Sequence, residues 1–166
     1  MYYDMNKPIL NYSMTKILPI IIYPNPILRK KSIKINFKKT TPEEIKKLCS
    51  VMYSTMMDAE GAGLAAPQIN KNIRLIVLST QDGQINLLNP EIIKKSWNKI
   101  YDSEGCLSVP GVYGNVKRHK KIICQYFNEE GKKIILEAEG LLARVIQHEV
   151  DHLDGILFID KMNIRE

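Results

Sequence analysis

The sequence predicts an α+β fold: mainly antiparallel sheets around a central helix, with a second long helix near the N-terminal half. Three observations carry this. Strand-like runs fill the middle of the 166-residue chain. Helical periodicity occurs at two well-separated places. Strands and helices do not alternate as a βαβ pattern would require.

Residues 1–15 read as a flexible arm, and residues 16–166 as one domain long enough to bury a real core. Ile17 to Tyr23 reads as a strand or extended segment, closed by Pro24-Asn25-Pro26. Thr41-Pro42-Glu43-Glu44 is a helix start, with a Thr cap, Pro at the first helical position and acids in the first turn. Ile45, Leu48, Val51 (or Met52), Thr55, Met56 and Ala59 then recur at helical spacing, so this helix should run from about Pro42 to Glu60, with Gly61 as its stop. Arg74 to Ser79 is a buried strand, and the turn Gln81 to Gln84 leads to a short strand, Ile85 to Leu88. Asn89-Pro90 opens another extended stretch, to about Ile100, and Glu104 to Gly111 is loop-like. Lys121 to Phe127 and Lys133 to Glu139 flank Asn128-Glu129-Glu130-Gly131 as a β-hairpin. The last helix covers about Leu141 to Leu153, and Gly155 ends it.

Composition narrows the function classes. No apolar run reaches the roughly 18 residues of a membrane-spanning helix, since Ile17 to Ile22 is short and broken by Pro19. The N-terminus lacks the basic-then-apolar pattern of a signal peptide. The net charge of +6 comes from scattered Lys with clusters at Arg29-Lys30-Lys31 and Lys117 to Lys121. It reads first as a solvated surface and second as weak attraction to an RNA-rich partner. No aromatic-interleaved basic motif supports specific nucleic-acid binding, and no membrane partner is expected. Three cysteines, an odd and sparse set, fit a reducing compartment, the cytoplasm.

Chemistry concentrates in Gln147-His148-Glu149-Val150-Asp151-His152-Leu153. On a helix, residues four apart share a face, so His148 and His152 can grip one metal ion. Leu141, Val145, His148 and His152 make one stripe, and Leu142, Ile146, Glu149 and Leu153 the next. Arg144, Gln147, Asp151 and Asp154 make the polar side. Two inward histidines and a carboxylate each need a buried partner, which a divalent cation supplies. The central helix is therefore a metal-binding one. Catalytic sites of this kind take three protein ligands. A metzincin would carry a third His where Phe158 stands, so that reading fails. The remaining ligand must lie upstream: His119, a carboxylate or a Cys. His119 reads as surface, and Cys49 and Cys124 as packing. Cys106 follows Gly105 in a loop, and a thiolate there can reach a metal.

Three segments in this order resemble the peptide deformylases: Gly61-Ala62-Gly63-Leu64-Ala65-Ala66-Pro67-Gln68, Glu104-Gly105-Cys106-Leu107-Ser108, and Gln147 to Leu153. The resemblance implies a hydrolase that removes the formyl group from N-formyl-methionyl nascent peptides and releases formate. It implies Cys106, His148 and His152 as ligands of one divalent metal, natively Fe(II), with Zn or Ni able to substitute. Glu149 is then the expected acid–base catalyst, and Gln68 with the Leu107 N–H the oxyanion donors. Gly61 and Gly63 would let substrate backbone approach, and Leu141 and Val145 would wall the methionine pocket. Glu104 is expected to order the Cys106 loop by pairing with Arg118. A transient ribosome contact is also implied, although the long C-terminal helix that some relatives use for it does not follow Phe158.

Overall fold

The structure, a computed structural model, describes residues 16–162. The arm assigned to residues 1–15 lies outside the described residues. Two helices and seven strands form the frame: α1 (Pro42–Asp58), β1 (Gly63–Ala65), β2 (Leu75–Thr80), β3 (Gly83–Lys95), β4 (Lys99–Cys106), β5 (Val109–His119), β6 (Lys121–Phe127), β7 (Lys133–Glu139) and α2 (Gly140–Leu153). All strand pairs are antiparallel. They make a five-stranded sheet in the order β1-β2-β3-β6-β7 and a separate β4-β5 pair.

The five-stranded sheet is covered on both faces. Leu75 and Val77 of β2 pack with Ile45, Cys49, Met52 and Met56 of α1. Ile76 and Leu78, pointing the other way, pack with Ile146, Val150 and Leu153 of α2. Side chains alternate across a strand, so a strand buried on both faces reads as the unbroken apolar run seen here. Cys49 and Cys124 are core residues, as their neighbours in sequence implied. Among the described residues, no helix is long and apolar enough to cross a membrane.

Several expectations need correction, though not the extended reading of Ile17 to Tyr23. That segment is extended and belongs to no sheet. It hangs on single bonds, such as Ile21 N–H to the Gln68 carbonyl at 2.7 Å. Thr41 caps α1 as expected, and Glu44 bonds back to the Thr41 N–H at 2.9 Å, which completes a capping box. The left-handed residue that closes α1, however, is Glu60 at φ 55°, and not Gly61. Gly61 lacks a side chain for another reason: a Cβ there would meet Leu107 Cδ1 at 2.8 Å. Asn89-Pro90 does not split two strands. Asn89 takes φ 50° in a bulge of one long β3, where the register shifts between Leu88 and Glu91. Its side chain bonds both backbone groups of Ile35, at 2.7 and 3.0 Å, which fixes the irregular turn.

The stretch from Glu104 to Gly111 is not a loop. It is the hairpin joining β4 to β5, with Cys106 paired to Val109 across a two-residue turn. Nor is the polar side of α2 solvated throughout. Arg144 and Gln147 are buried, because the β4-β5 pair covers that flank. The central helix is thus enclosed by both sheets.

Gly155, at φ 75°, ends α2 where a Cβ would lie 2.5 Å from the Arg29 carbonyl oxygen. Gly155→Ala adds a left-handed penalty of about 1–2 kcal/mol to that clash. We expect a loss of at least about 2 kcal/mol in urea unfolding; an unchanged midpoint would show that the chain end relaxes freely.

Candidate functional site

Three segments meet beside the middle of α2. The helix presents His148 and His152 from successive turns, and their rings lie edge to face with centroids 5.0 Å apart. The β4-β5 turn brings up Cys106, whose Sγ lies 3.1 Å from His152 Nε2. The ligand atoms of Cys106, His148 and His152 all lie within 4.8 Å of one another. Bonds of about 2.0–2.3 Å around a tetrahedral ion place donors roughly 3.5 Å apart, so this spacing fits one ion. The chemistry fits as well: a thiolate with two imidazoles favours a borderline-to-soft metal over Mg or Ca. His119, the rival donor, is engaged elsewhere, with Nδ1 2.6 Å from the Ser96 carbonyl oxygen.

The tautomer of His148 is set by Glu104. His148 Nδ1–H donates to Glu104 Oε2 at 2.9 Å, which turns Nε2 toward the thiol. Glu104 is itself clamped. Arg118 donates to both its oxygens at 2.9 Å, and Arg144 Nη1 donates to Oε1 at 2.6 Å. Burial opposes ionisation of Glu104, yet the bonds from Arg118 and His148 outweigh it and hold the carboxyl down at about 2. The pairing with Arg118 matches expectation. Arg144 and the link to His148 went unforeseen, although Arg144 stands one turn before His148, where a helix neighbour can reach the same partner.

Glu149 is buried where α2 meets β1, at the floor of the site's cavity. Burial pushes its carboxyl up to about 7, and Oε2 has no hydrogen-bond partner among the described residues. A Cβ on Gly63 would sit 2.7 Å from Glu149 Oε1. Gly63 is therefore required by the close approach of β1 to this carboxylate. Burial holds His152 well below its ordinary value, so it stays a neutral donor.

Gln68 is buried in a short 3-10 turn, Ala66–Ile69, after β1. Its Oε1 accepts the Ala65 N–H at 2.8 Å, so the amide nitrogen must face the site. There Nε2 donates to Ser108 Oγ at 3.1 Å and lies 3.7 Å from Cys106 Sγ. Ser108 was missed, for a lone Ser in a turn carries no signal of its own. A cavity of about 510 Å³ opens over these groups, lined by Gly61, Gly63, Leu107, Leu141, Val145 and Glu149 among others. All the predicted site residues therefore meet in one place.

The polypeptide deformylase family model matches residues 17–166. The chain belongs to this family. It is 51% identical to the peptide deformylase of Carboxydothermus hydrogenoformans over 82% of this chain and 88% of that one. It is 43% identical to that of Desulfitobacterium hafniense over 87% and 94%. Among solved structures, the Thermotoga maritima peptide deformylase superposes with a TM-score of 0.84 at 36% identity, covering 89% of this chain and 99% of that one. A Met-Ala-Ser-bound deformylase from Acinetobacter baumannii gives 0.85 at 31% identity, covering 90% and 100%. The activity is therefore that of a peptide deformylase, a hydrolase with a Cys-His-His metal-binding group.

Glu104→Gln leaves two buried guanidinium groups undercompensated and should cost about 3–5 kcal/mol. The folded Glu104 value lies below its ordinary 4.5, so its stabilisation is complete above that pH and is lost as pH falls toward about 2. Urea midpoints of wild type and variant should converge across this window. A gap that stays constant down to pH 2 would place the effect elsewhere.

Proposed function

We propose that Cys106, His148 and His152 hold one divalent ion, and that Glu149 moves the proton in hydrolysis of the formyl C–N bond of N-formyl-methionyl peptides. The observation behind this is the unpartnered, buried carboxylate of Glu149 lying beside the three donors. Fe(II) is the native ion in this reading, with Zn or Ni able to replace it. Such an ion supplies Lewis-acid activation of water and of the formyl oxygen.

Glu149 takes a proton from the attacking water as the new C–O bond forms. The formyl carbon becomes tetrahedral and its oxygen gains negative charge. Gln68 Nε2–H and the Leu107 backbone N–H donate to that oxygen, and a neutral amide does so without competing as a ligand. Glu149 then delivers its proton to the amine nitrogen as the C–N bond breaks, leaving formate and a free N-terminus. A carboxyl near 7 suits both accepting and donating.

The substrate lies along β1. That strand is at the edge of its sheet, so its outer side is free to pair with an extended peptide at Gly61 to Gly63. Val145 and the exposed Leu141 form the wall that receives the methionine side chain. The peptide held by the Acinetobacter enzyme, Met-Ala-Ser, has the chemistry of a deformylated product. Nascent peptides as substrate place the enzyme in the cytoplasm and give it a transient ribosome contact.

Glu149→Gln should lower kcat by about 10²–10⁴-fold with metal content unchanged. Wild-type turnover at that rate in the variant would remove Glu149 from the role. Because Glu149 must be ionised to accept a proton, kcat/KM should fall as pH drops below about 7. A profile flat from pH 5 to 8 contradicts the assignment. Peroxide should inactivate iron-loaded protein and spare zinc-loaded protein, read as formate release, because an iron-bound thiolate is open to oxidation.

A further inference from the structure

The deformylase site leaves Lys117 and the single tryptophan unused. Strand pairing brings Lys117 to the strand that follows Trp97. Trp97, in the tight connection between β3 and β4, is 98% exposed. Two residues to either side, Lys95 and Lys99 line a second cavity of about 550 Å³, which shares no lining residue with the catalytic one. This groove runs along another flank of α2 and also takes in Lys117, Arg74, Arg118 and Lys161.

The groove carries more positive charge than its own acids neutralise. Its carboxylates are Glu91, Asp151 and Asp154. Asp154 is bound by Arg74 at 2.7 Å, and Asp151 by both Arg118 and Lys161. Among the described residues, Lys95, Lys99 and Lys117 have no carboxylate within ion-pair distance. An aromatic ring lies beside one of these cations. Tyr101 pairs with Lys117 across β4 and β5, and the Lys117 ammonium sits 5.1 Å from the centre of its ring. Lys99 is opposite His119 one step further along the same face.

We propose that this groove and the Trp97 tip dock single-stranded RNA without sequence preference. Uncompensated lysines in a trench match a phosphate backbone, and exposed aromatic rings beside them offer stacking platforms for bases. A lipid surface fits less well. Membrane insertion uses a broad apolar face, whereas Trp97 stands between Ser96 and Asn98, and the cations line a concavity that a flat headgroup plane cannot enter. Lys95, Trp97, Lys99 and Tyr101 are already close in sequence, and strand pairing adds Lys117 opposite Tyr101. The proposal rests on the nascent-chain reading solely for the source of the RNA, the ribosome on which the substrate is made.

Trp97 is the chain's only tryptophan, so its fluorescence reports the surface directly. The test titrates full-length protein with a 20-nucleotide oligouridylate at low salt, following Trp97 emission and the anisotropy of labelled RNA. Binding should quench Trp97 and weaken steeply with salt. The double variant Lys95→Glu/Lys99→Glu should lose about tenfold in affinity and lower the salt slope by about 2. Trp97→Phe should bind as wild type does, and Trp97→Ala about tenfold more weakly at an unchanged slope. Formate release from a short formyl-Met peptide should be the same in all variants, since none of these residues lines the catalytic cavity. That separates failure of the RNA surface from failure of the deformylase reading. No quenching at low salt, RNA binding indifferent to the variants, or stronger quenching by phosphatidylserine vesicles than by the RNA overturns the proposal.

Discussion

The site depends on one buried carboxylate. Glu104 belongs to the β4-β5 pair, and its partners Arg144 and His148 belong to α2. The same contacts therefore join the small sheet to the helix and bring Cys106, two residues beyond Glu104, against the histidines. A buried charge is tolerable only when it is compensated on every side. Here Arg118, Arg144 and His148 supply the compensation, and Asp151 takes up part of the charge of Arg118. Ionisation of Glu104, orientation of His148 and placement of the thiol are consequences of a single arrangement.

That arrangement explains why α2, beyond its exposed first turn, is covered on opposite sides. A helix with one apolar stripe needs one covering layer. This one has the five-stranded sheet on its apolar side and the β4-β5 pair on its polar side, where Arg144 and Gln147 bond to backbone and carboxylate. Enclosure raises the carboxyl of Glu149 and keeps His152 neutral, which a half-exposed helix would not do. Gly63 lacks the side chain that would hold β1 away from the Glu149 carboxylate, and so completes the enclosure.

Much of this was legible in the residues. The spacing of His148 and His152 placed both on one inward face, Thr41 and Pro42 fixed the start of α1, and the acidic turn after Phe127 marked its hairpin. The triple of short segments named the donors. Irregularities were less legible. Asn89-Pro90 carries the chemistry of a break, and only its bonds to Ile35, over fifty residues away in sequence, turn the break into a bulge. Glu104 to Gly111 has the composition of a loop, but long-range pairing makes it a hairpin. Arg144 looked solvent-facing because periodicity cannot see a second sheet. In each case a distant partner decided the outcome.

The central claim is that one ion, held by Cys106, His148 and His152, is needed for deformylation. The most direct measurement is anaerobic titration of chelator-treated protein with Fe(II), following formate release from a formyl-methionyl peptide. Activity should rise linearly and break at one ion per chain, and Cys106→Ser should show no such break. Full activity in the metal-stripped protein, or an unchanged break in the Cys106 variant, would contradict the account.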